Sequence, residues 1–203
     1  MVRLAISVEG QTEERFVKIL IVPHLERFGI YTEVRLLNGH GGDVSLSRIK
    51  IDLTILAKSF DKVTTLYDFY GFKGKSKTET KTSLEEKIRD CIPPALQYKL
   101  IPYVQMYEFE GLLFSSPTIM EEVIQQKKLA SWAISVLKKA NNNPEQINDS
   151  PQTAPSKRLA GEIKNYTKTV NGVDIARATG LDILREKCVG FDTWLSTLEA
   201  LNK

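Results

Sequence analysis

Short apolar runs alternate with amphipathic stretches through the first half of the chain. Val2 to Val8, Tyr31 to Leu37, Val63 to Tyr67 and Leu100 to Tyr107 are rich in Val, Ile, Leu, Thr and Tyr, as buried strands of a parallel sheet are. Between the first two runs, Phe16, Val17, Ile19, Leu20 and Leu25 fall at helical spacing, with Thr12 as a cap, Gly29 as a stop and Pro23 as an expected kink. Leu46, Ile49, Leu53, Leu56, Ala57 and Phe60 repeat in the same way behind Ser45, a candidate N-cap. A further helix is predicted from about Ser83 to Cys91. This alternation predicts βαβ units: an α/β fold with a mostly parallel four-stranded sheet flanked by helices. After residue 110 the strand signals stop, and helices are predicted near 117–126, 129–141, 156–169, 173–186 and 191–201. The expected organisation is an α/β domain over 1–115 with a helical extension over 116–203. Asn141 to Pro155, rich in Asn, Pro, Ser and Thr, reads as an exposed connection. Trp132, Phe191 and Trp194 have leucine neighbours at helical spacing and read as core.

Composition narrows the function classes. With 203 residues, the chain can bury one substantial core, and 42% hydrophobic with 26% charged residues is the balance of an ordinary globular protein. A net charge of +3 and a pI near 8.7 give no global field for a polyanion, so contacts to nucleic acid must come from local patches. The longest apolar stretch, Ile19 to Val22, is far short of a membrane span, and no signal-peptide pattern opens the chain. A cytoplasmic protein with no membrane partner is expected. Cys91 and Cys188 lack zinc-type spacing, and His24 and His40 are too few for a histidine-rich metal centre, which leaves oxygen ligands.

The candidate chemistry sits where apolar runs end. Glu9 follows the first run, Asp68 the third, and Glu108 with Glu110 the fourth. Parallel neighbouring strands bring their C-terminal ends to one edge, where open α/β sheets place ligands. Carboxylates gathered there repel one another unless a cation lies between them, and Mg²⁺ prefers such oxygen donors together with waters and substrate phosphates. In Glu9-Gly10-Gln11-Thr12-Glu13, both glutamates can face one site, although Glu13 also suits the positive end of a helix dipole. Asp68 lies in the aromatic cluster Tyr67 to Phe72, an expensive place for an isolated carboxylate. Glu108 and Glu110 share a face if the strand runs through them and diverge by about 200° if a helix begins there; the sequence leaves both open. Gly71-Phe72-Lys73-Gly74-Lys75-Ser76 is not a P-loop, because Phe69 stands where the first glycine is required. Its lysines, with Lys77 and Lys81, read as a basic flap or a solvated loop. Lys157 and Arg158 begin a predicted helix at the end where the dipole disfavours cations, which points to anion binding. Lys168 falls near the far end of that helix and there needs no functional explanation. His40, in its glycine-rich loop, could donate to phosphate or transfer a proton.

Val8-Glu9-Gly10-Gln11-Thr12-Glu13, Tyr67-Asp68-Phe69-Tyr70, Glu108-Phe109-Glu110 and Pro155-Ser156-Lys157-Arg158 together resemble an uncharacterised prokaryotic family of Toprim-like proteins, nearly end to end. That family is similar to the overcoming-lysogenization-defect nucleases. Toprim domains place a glutamate after the first strand and an Asp-x-Asp after a later one, and bind Mg²⁺ for phosphodiester chemistry. Glu9 and Asp68 match; Tyr70 stands where the second aspartate is expected, which leaves Glu108 or Glu110 to substitute. The resemblance implies a Toprim-like Rossmannoid fold and a nuclease dependent on Mg²⁺ or Mn²⁺. Its metal ligands would be Glu9, Asp68, Glu108 and Glu110, with Glu13 completing the shell or acting as base. His40, Lys75, Lys157 and Arg158 would meet phosphates. It further implies nucleic acid as partner, DNA ahead of RNA, within a phage-defence or DNA-processing module that includes an ATPase. The alternative is a non-catalytic regulatory or adaptor subunit of an ATPase complex. Receiver-like or phosphatase-like phosphoryl transfer ranks third, because no Asp-x-Asp directly follows the first strand.

Overall fold

In the computed structural model, which describes residues 1–39, 41, 44–76, 78–148 and 151–202, all strand pairing is parallel. β1 (Val2–Val8) lies between β2 (Ile30–Leu36) and β3 (Lys62–Asp68), and β3 carries β4 (Leu100–Ile101) and β5 (Val104–Gln105) on its other side. The α/β class and mostly parallel sheet follow the sequence expectation. The expected fourth strand is divided in two. Pro102 has no N–H for the ladder, and Thr65 fills the gap: its Oγ1 accepts from Tyr103 N and donates to Tyr103 O, both at 2.8 Å. Thr64 Oγ1 likewise donates to Ile101 O at 2.6 Å.

The chain divides into two units, Met1–Gln105 with Ser196–Lys203, and Met106–Leu195. In the first unit, Leu4, Ala5, Ile6 and Val8 of β1 are all fully buried, because a central parallel strand is covered on both faces. α1 (Gln11–Phe16) passes through a π-helical turn at Val17–Ile21 into α2 (Val22–Glu26). Val22 N donates to Val17 O, so the helix widens just before Pro23 rather than breaking. Gly29, at φ +71°, ends this segment as expected. α3 (Leu46–Ser59) buries Ile49, Leu53 and Ala57 at intervals of four. α4 (Lys81–Asp90) starts earlier than predicted, behind a reciprocal capping box between Thr80 and Ser83.

The second unit is helical. A buried 3₁₀ segment, Phe109–Ser115, leads to α5 (Pro117–Ile124) and α6 (Leu129–Lys139), then to α7 (Pro155–Glu162), α8 (Val173–Lys187) and the start of α9 (Val189–Glu199), whose residues from Ser196 on are counted with the first unit. Two expectations are corrected here. The connection after α6 is not wholly exposed: Pro144 and Ile147 are buried, and the Glu145 carboxylate accepts from Gly190 N and Phe191 N at 2.8 and 3.1 Å, capping α9. The helix expected over 156–169 ends at Glu162, where Ile163 is extended, and Lys168 opens a separate turn, Lys168–Gly172. Phe191 and Trp194 are core, whereas Trp132 is half-buried against Phe114. Among the described residues, no helix is long and apolar enough to cross a membrane.

Candidate functional site

Register sets the strand-end geometry. Val8 pairs with Leu36 on one side and Leu66 on the other, so Glu9 and Asp68 emerge from neighbouring strands at the same edge. Their contact is direct: Asp68 N–H donates to Glu9 Oε2 at 3.1 Å. Two glycines make room for Glu9. A Cβ on Gly71 would stand 2.1 Å from Glu9 Oε2, so the carboxylate lies against the bare Cα of the turn Phe69–Gly71 that follows β3. Gly41, at φ +74°, brings a loop backbone so close that a Cβ would stand 2.6 Å from Glu9 O. Glu13, buried in the first turn of α1, folds back towards the strand end, with Oε2 3.1 Å from where a Cβ on Gly10 would be. Asp68 is 7% exposed.

A cation stands beside this edge. Lys75 Nζ lies 5.3 Å from the Phe69 ring centre and 5.1 Å from that of Tyr70, and donates to Phe72 O at 3.4 Å. Loss of solvent pushes its ammonium below the ordinary lysine range. Beneath the edge, Ser7 Oγ and Tyr67 Oη share a hydrogen bond of 2.7 Å. Burial raises the Tyr67 phenol, with the Ser7 bond acting in the opposite sense. His40 and Lys77 lie outside the described residues.

The two other acids belong to the second unit and diverge. Tyr107 adopts φ +57° and turns the chain; Glu108 is extended, and the 3₁₀ segment begins at Phe109. Glu108 Oε2 accepts from Ser156 N at 2.8 Å, at the start of α7. Glu110 is 1% exposed. It pairs with Lys168, Nζ to Oε1 at 2.9 Å, yet among the described residues neither carboxylate oxygen gains a well-aligned hydrogen bond. Burial raises the Glu110 carboxyl above its ordinary range, against the pull of Lys168, and the charge of Glu108 adds to the rise. The Tyr166 hydroxyl is buried with no hydrogen-bond partner among the described residues. Its phenol is pushed up by burial and by the charges of Glu110 and Glu108. Lys157 is exposed, while Arg158 Nε donates to Thr153 O at 2.6 Å.

The family described as Domain of unknown function (DUF4276) matches residues 8–199. The chain belongs to that family. No curated protein matches it. Among solved structures, the C-terminal region of the Xanthomonas campestris pv. campestris OLD protein phased with iodine aligns over 97% of this chain and 93% of its own, with 18% identity and a TM-score of 0.41.

In this DUF4276 member, then, Glu9 and Asp68 meet at one edge, Glu13 folds towards it, and Lys75 packs on the turn beside it. Among the described residues, no group of three or more His, Cys, Asp and Glu is placed to hold a metal ion by itself. Sequence reasoning overlooked Gly71, whose missing side chain admits Glu9, as well as Tyr166 and the pairing of Lys168. A glycine directly after an acid-bearing aromatic turn was the available signal for Gly71. Lys168 and Tyr166 gave none, because their partners lie far away in the chain.

Proposed function

We propose that the chain is a metal-dependent nuclease that hydrolyses phosphodiester bonds in nucleic acid at the edge formed by Glu9 and Asp68. The observation that carries this reading is the Glu9 carboxylate held on the Asp68 backbone N–H at 3.1 Å, with both residues at the C-terminal ends of adjacent parallel strands. The donor set fits Mg²⁺ or Mn²⁺, because such ions take one or two protein carboxylates and complete their shell with waters and substrate phosphates. Glu9 and Asp68 would hold the ion, which when bound supplies Lewis-acid charge and lowers the pKa of a coordinated water. Glu13 would take the proton from the attacking water. The water oxygen would bond to phosphorus as one P–O ester bond breaks, and the departing oxygen would take its proton from solvent water, to which Glu13 returns the proton it accepted. Lys75, Lys157 and Arg158 would neutralise backbone phosphates, a contact independent of sequence and weakened by salt.

A second reading is a non-catalytic regulatory or adaptor subunit that docks on an ATPase. One observation favours it: two residues after Asp68, the Tyr70 ring carries the Lys75 ammonium, where a further carboxylate would have helped to hold a metal. The test is Mg²⁺ and Mn²⁺ calorimetry together with cleavage of labelled single- and double-stranded DNA and RNA, using wild type, Glu9→Gln and Asp68→Asn. The nuclease reading predicts cleavage that requires the metal and is lost in both variants, with circular dichroism unchanged. Equal cleavage by all three proteins would overturn the site. Absence of both metal binding and cleavage in wild type, with a stable complex on mixing with an ATPase, would establish the adaptor.

A further inference from the structure

β2 ends the sheet of the first unit. It pairs with β1 on one side, and among the described residues no strand pairs with the other. Alternate residues of a strand direct their N–H and C=O groups to opposite sides, so about half of those in β2 face away from β1. The strand, Ile30–Leu36, carries no proline or glycine to blunt pairing along that edge. Its side chains alternate between two faces. Ile30 and Thr32 are buried and Val34 and Leu36 half-buried on one face, whereas Tyr31, 49% exposed, Glu33 and Arg35 lie on the other. Arg35 Nη2 donates to Glu33 Oε2 along the strand, so an acid and a base stand two positions apart on the open face.

That spacing decides how the edge can meet a copy of itself. Antiparallel strands related by a two-fold axis keep the same face up, and the axis passes beside one residue, which then stands opposite its own copy. An axis at Glu33 sets acid against acid, and an axis at Arg35 sets guanidinium against guanidinium. At Val34 the axis puts Glu33 opposite Arg35 of the copy and Arg35 opposite Glu33 of the copy. In the same register Tyr31 lies diagonal to Arg35 of the copy, within reach of its guanidinium. On the other face, Val34 meets Val34 and Thr32 meets Leu36, pairs that suit a cross-strand contact. One register therefore satisfies both charges, and the two nearest alternatives set like charges together.

We propose that β2 is an interface with a second copy of this chain, formed by antiparallel pairing about a two-fold axis at Val34 that joins two parallel sheets into one. Each copy supplies the same patch, so two acids and two bases close into one cluster and the assembly stops at two. Because the joined sheets run in opposite directions, their C-terminal edges open on opposite sides, and each copy keeps its own Glu9 and Asp68. The interface does not depend on the chemistry at those residues.

Analytical ultracentrifugation over a concentration series tests the interface in wild type, Glu9→Gln, Glu33→Arg, Arg35→Glu and the double variant that carries both charge reversals. Hydrogen exchange at low and high concentration locates it. Wild type, Glu9→Gln and the double variant should dimerise alike. Each single reversal should dimerise at least about tenfold more weakly, because two opposite-charge pairs become two like-charge pairs. An equal mixture of the Glu33→Arg and Arg35→Glu proteins should recover wild-type affinity, since every charge then faces its opposite. Exchange over residues 31–36 should slow in the dimer. A wild type that stays monomeric at every concentration overturns the second copy as occupant. Single reversals that dimerise as wild type does, with native circular dichroism, or a dimer that leaves exchange over residues 31–36 unchanged, overturn the interface. Cleavage enters none of these readouts, so failure of the nuclease reading and failure of the interface are separate results.

Discussion

Replacing Gly71 with alanine adds one methyl group at a position where its Cβ would stand 2.1 Å from Glu9 Oε2 and 2.6 Å from both Glu9 Cδ and Oε1. Gly71 does not occupy the left-handed region, so alanine is compatible with the backbone and the clash with Glu9 is the whole difficulty. Glu9 must rotate away and abandon the Asp68 N–H, now 3.1 Å distant. A hydrogen bond to a charged group contributes about 1.5–3 kcal/mol. Alanine for glycine at a compatible position returns about 0.4–1 kcal/mol by restricting the unfolded chain. The net loss in the wild-type background is therefore about 1–2 kcal/mol. In a Glu9→Ala background the clash is absent, and the same substitution becomes neutral or stabilising. Urea unfolding of the four proteins, extrapolated linearly, gives the coupling directly. An equal effect of Gly71→Ala in both backgrounds, or none in wild type, would refute the packing of the Glu9 carboxylate against Gly71.

Lys168→Met leaves Glu110 buried without its cation. Breaking a buried pair costs about 3–5 kcal/mol, but the Lys168 side chain is 46% exposed and screened, which reduces the loss to roughly 1–2 kcal/mol at pH 7. Because burial raises the folded-state pKa of Glu110, stability from this group is complete below the ordinary carboxylate range and is lost as pH rises through the folded value. The variant should thus approach wild type near pH 4 and fall behind it towards pH 7; a deficit constant over that range in urea melts contradicts the assignment. Thr65→Val removes the hydroxyl that serves both Tyr103 N and Tyr103 O, a loss of about 1–3 kcal/mol, whereas Thr65→Ser keeps it. Hydrogen exchange at the Tyr103 amide should accelerate in the valine variant only, and equal exchange in both would show that the side chain does not bridge the gap left by Pro102.

What was legible in the chain depended on how far apart the interacting residues lie. The central strands announced themselves because burial on both faces demands unbroken apolar runs, and parallel pairing then turned the ends of those runs into a shared edge. Glu9 and Asp68 could be named together for that reason, although 59 positions separate them. The division of the fourth strand was half legible: Pro102 forbids a ladder hydrogen bond, but nothing local says that Thr65 supplies the replacement. The segment 141–155 misled because Asn, Pro and Ser describe a solvated turn equally well whether or not Pro144 and Ile147 find a core. Its acid, Glu145, caps a helix 45 residues away, beyond any periodic pattern.

Local pattern therefore nominated the acids, while their chemical states came from distant partners. Glu9 accepts the backbone N–H of Asp68 at the end of the neighbouring strand. Glu110, of the same residue type and equally placed after an apolar run, is enclosed and driven towards its neutral form, with Lys168 holding it back. Glu108 is occupied with the first turn of α7. Two acids separated by one aromatic residue thus reach different fates because Tyr107 turns the chain before them and Phe109 starts a 3₁₀ segment between them. The turn at Tyr107 carries no glycine, asparagine or proline to announce it, so the divergence of Glu108 from Glu110 was decided by a backbone conformation that the sequence does not signal.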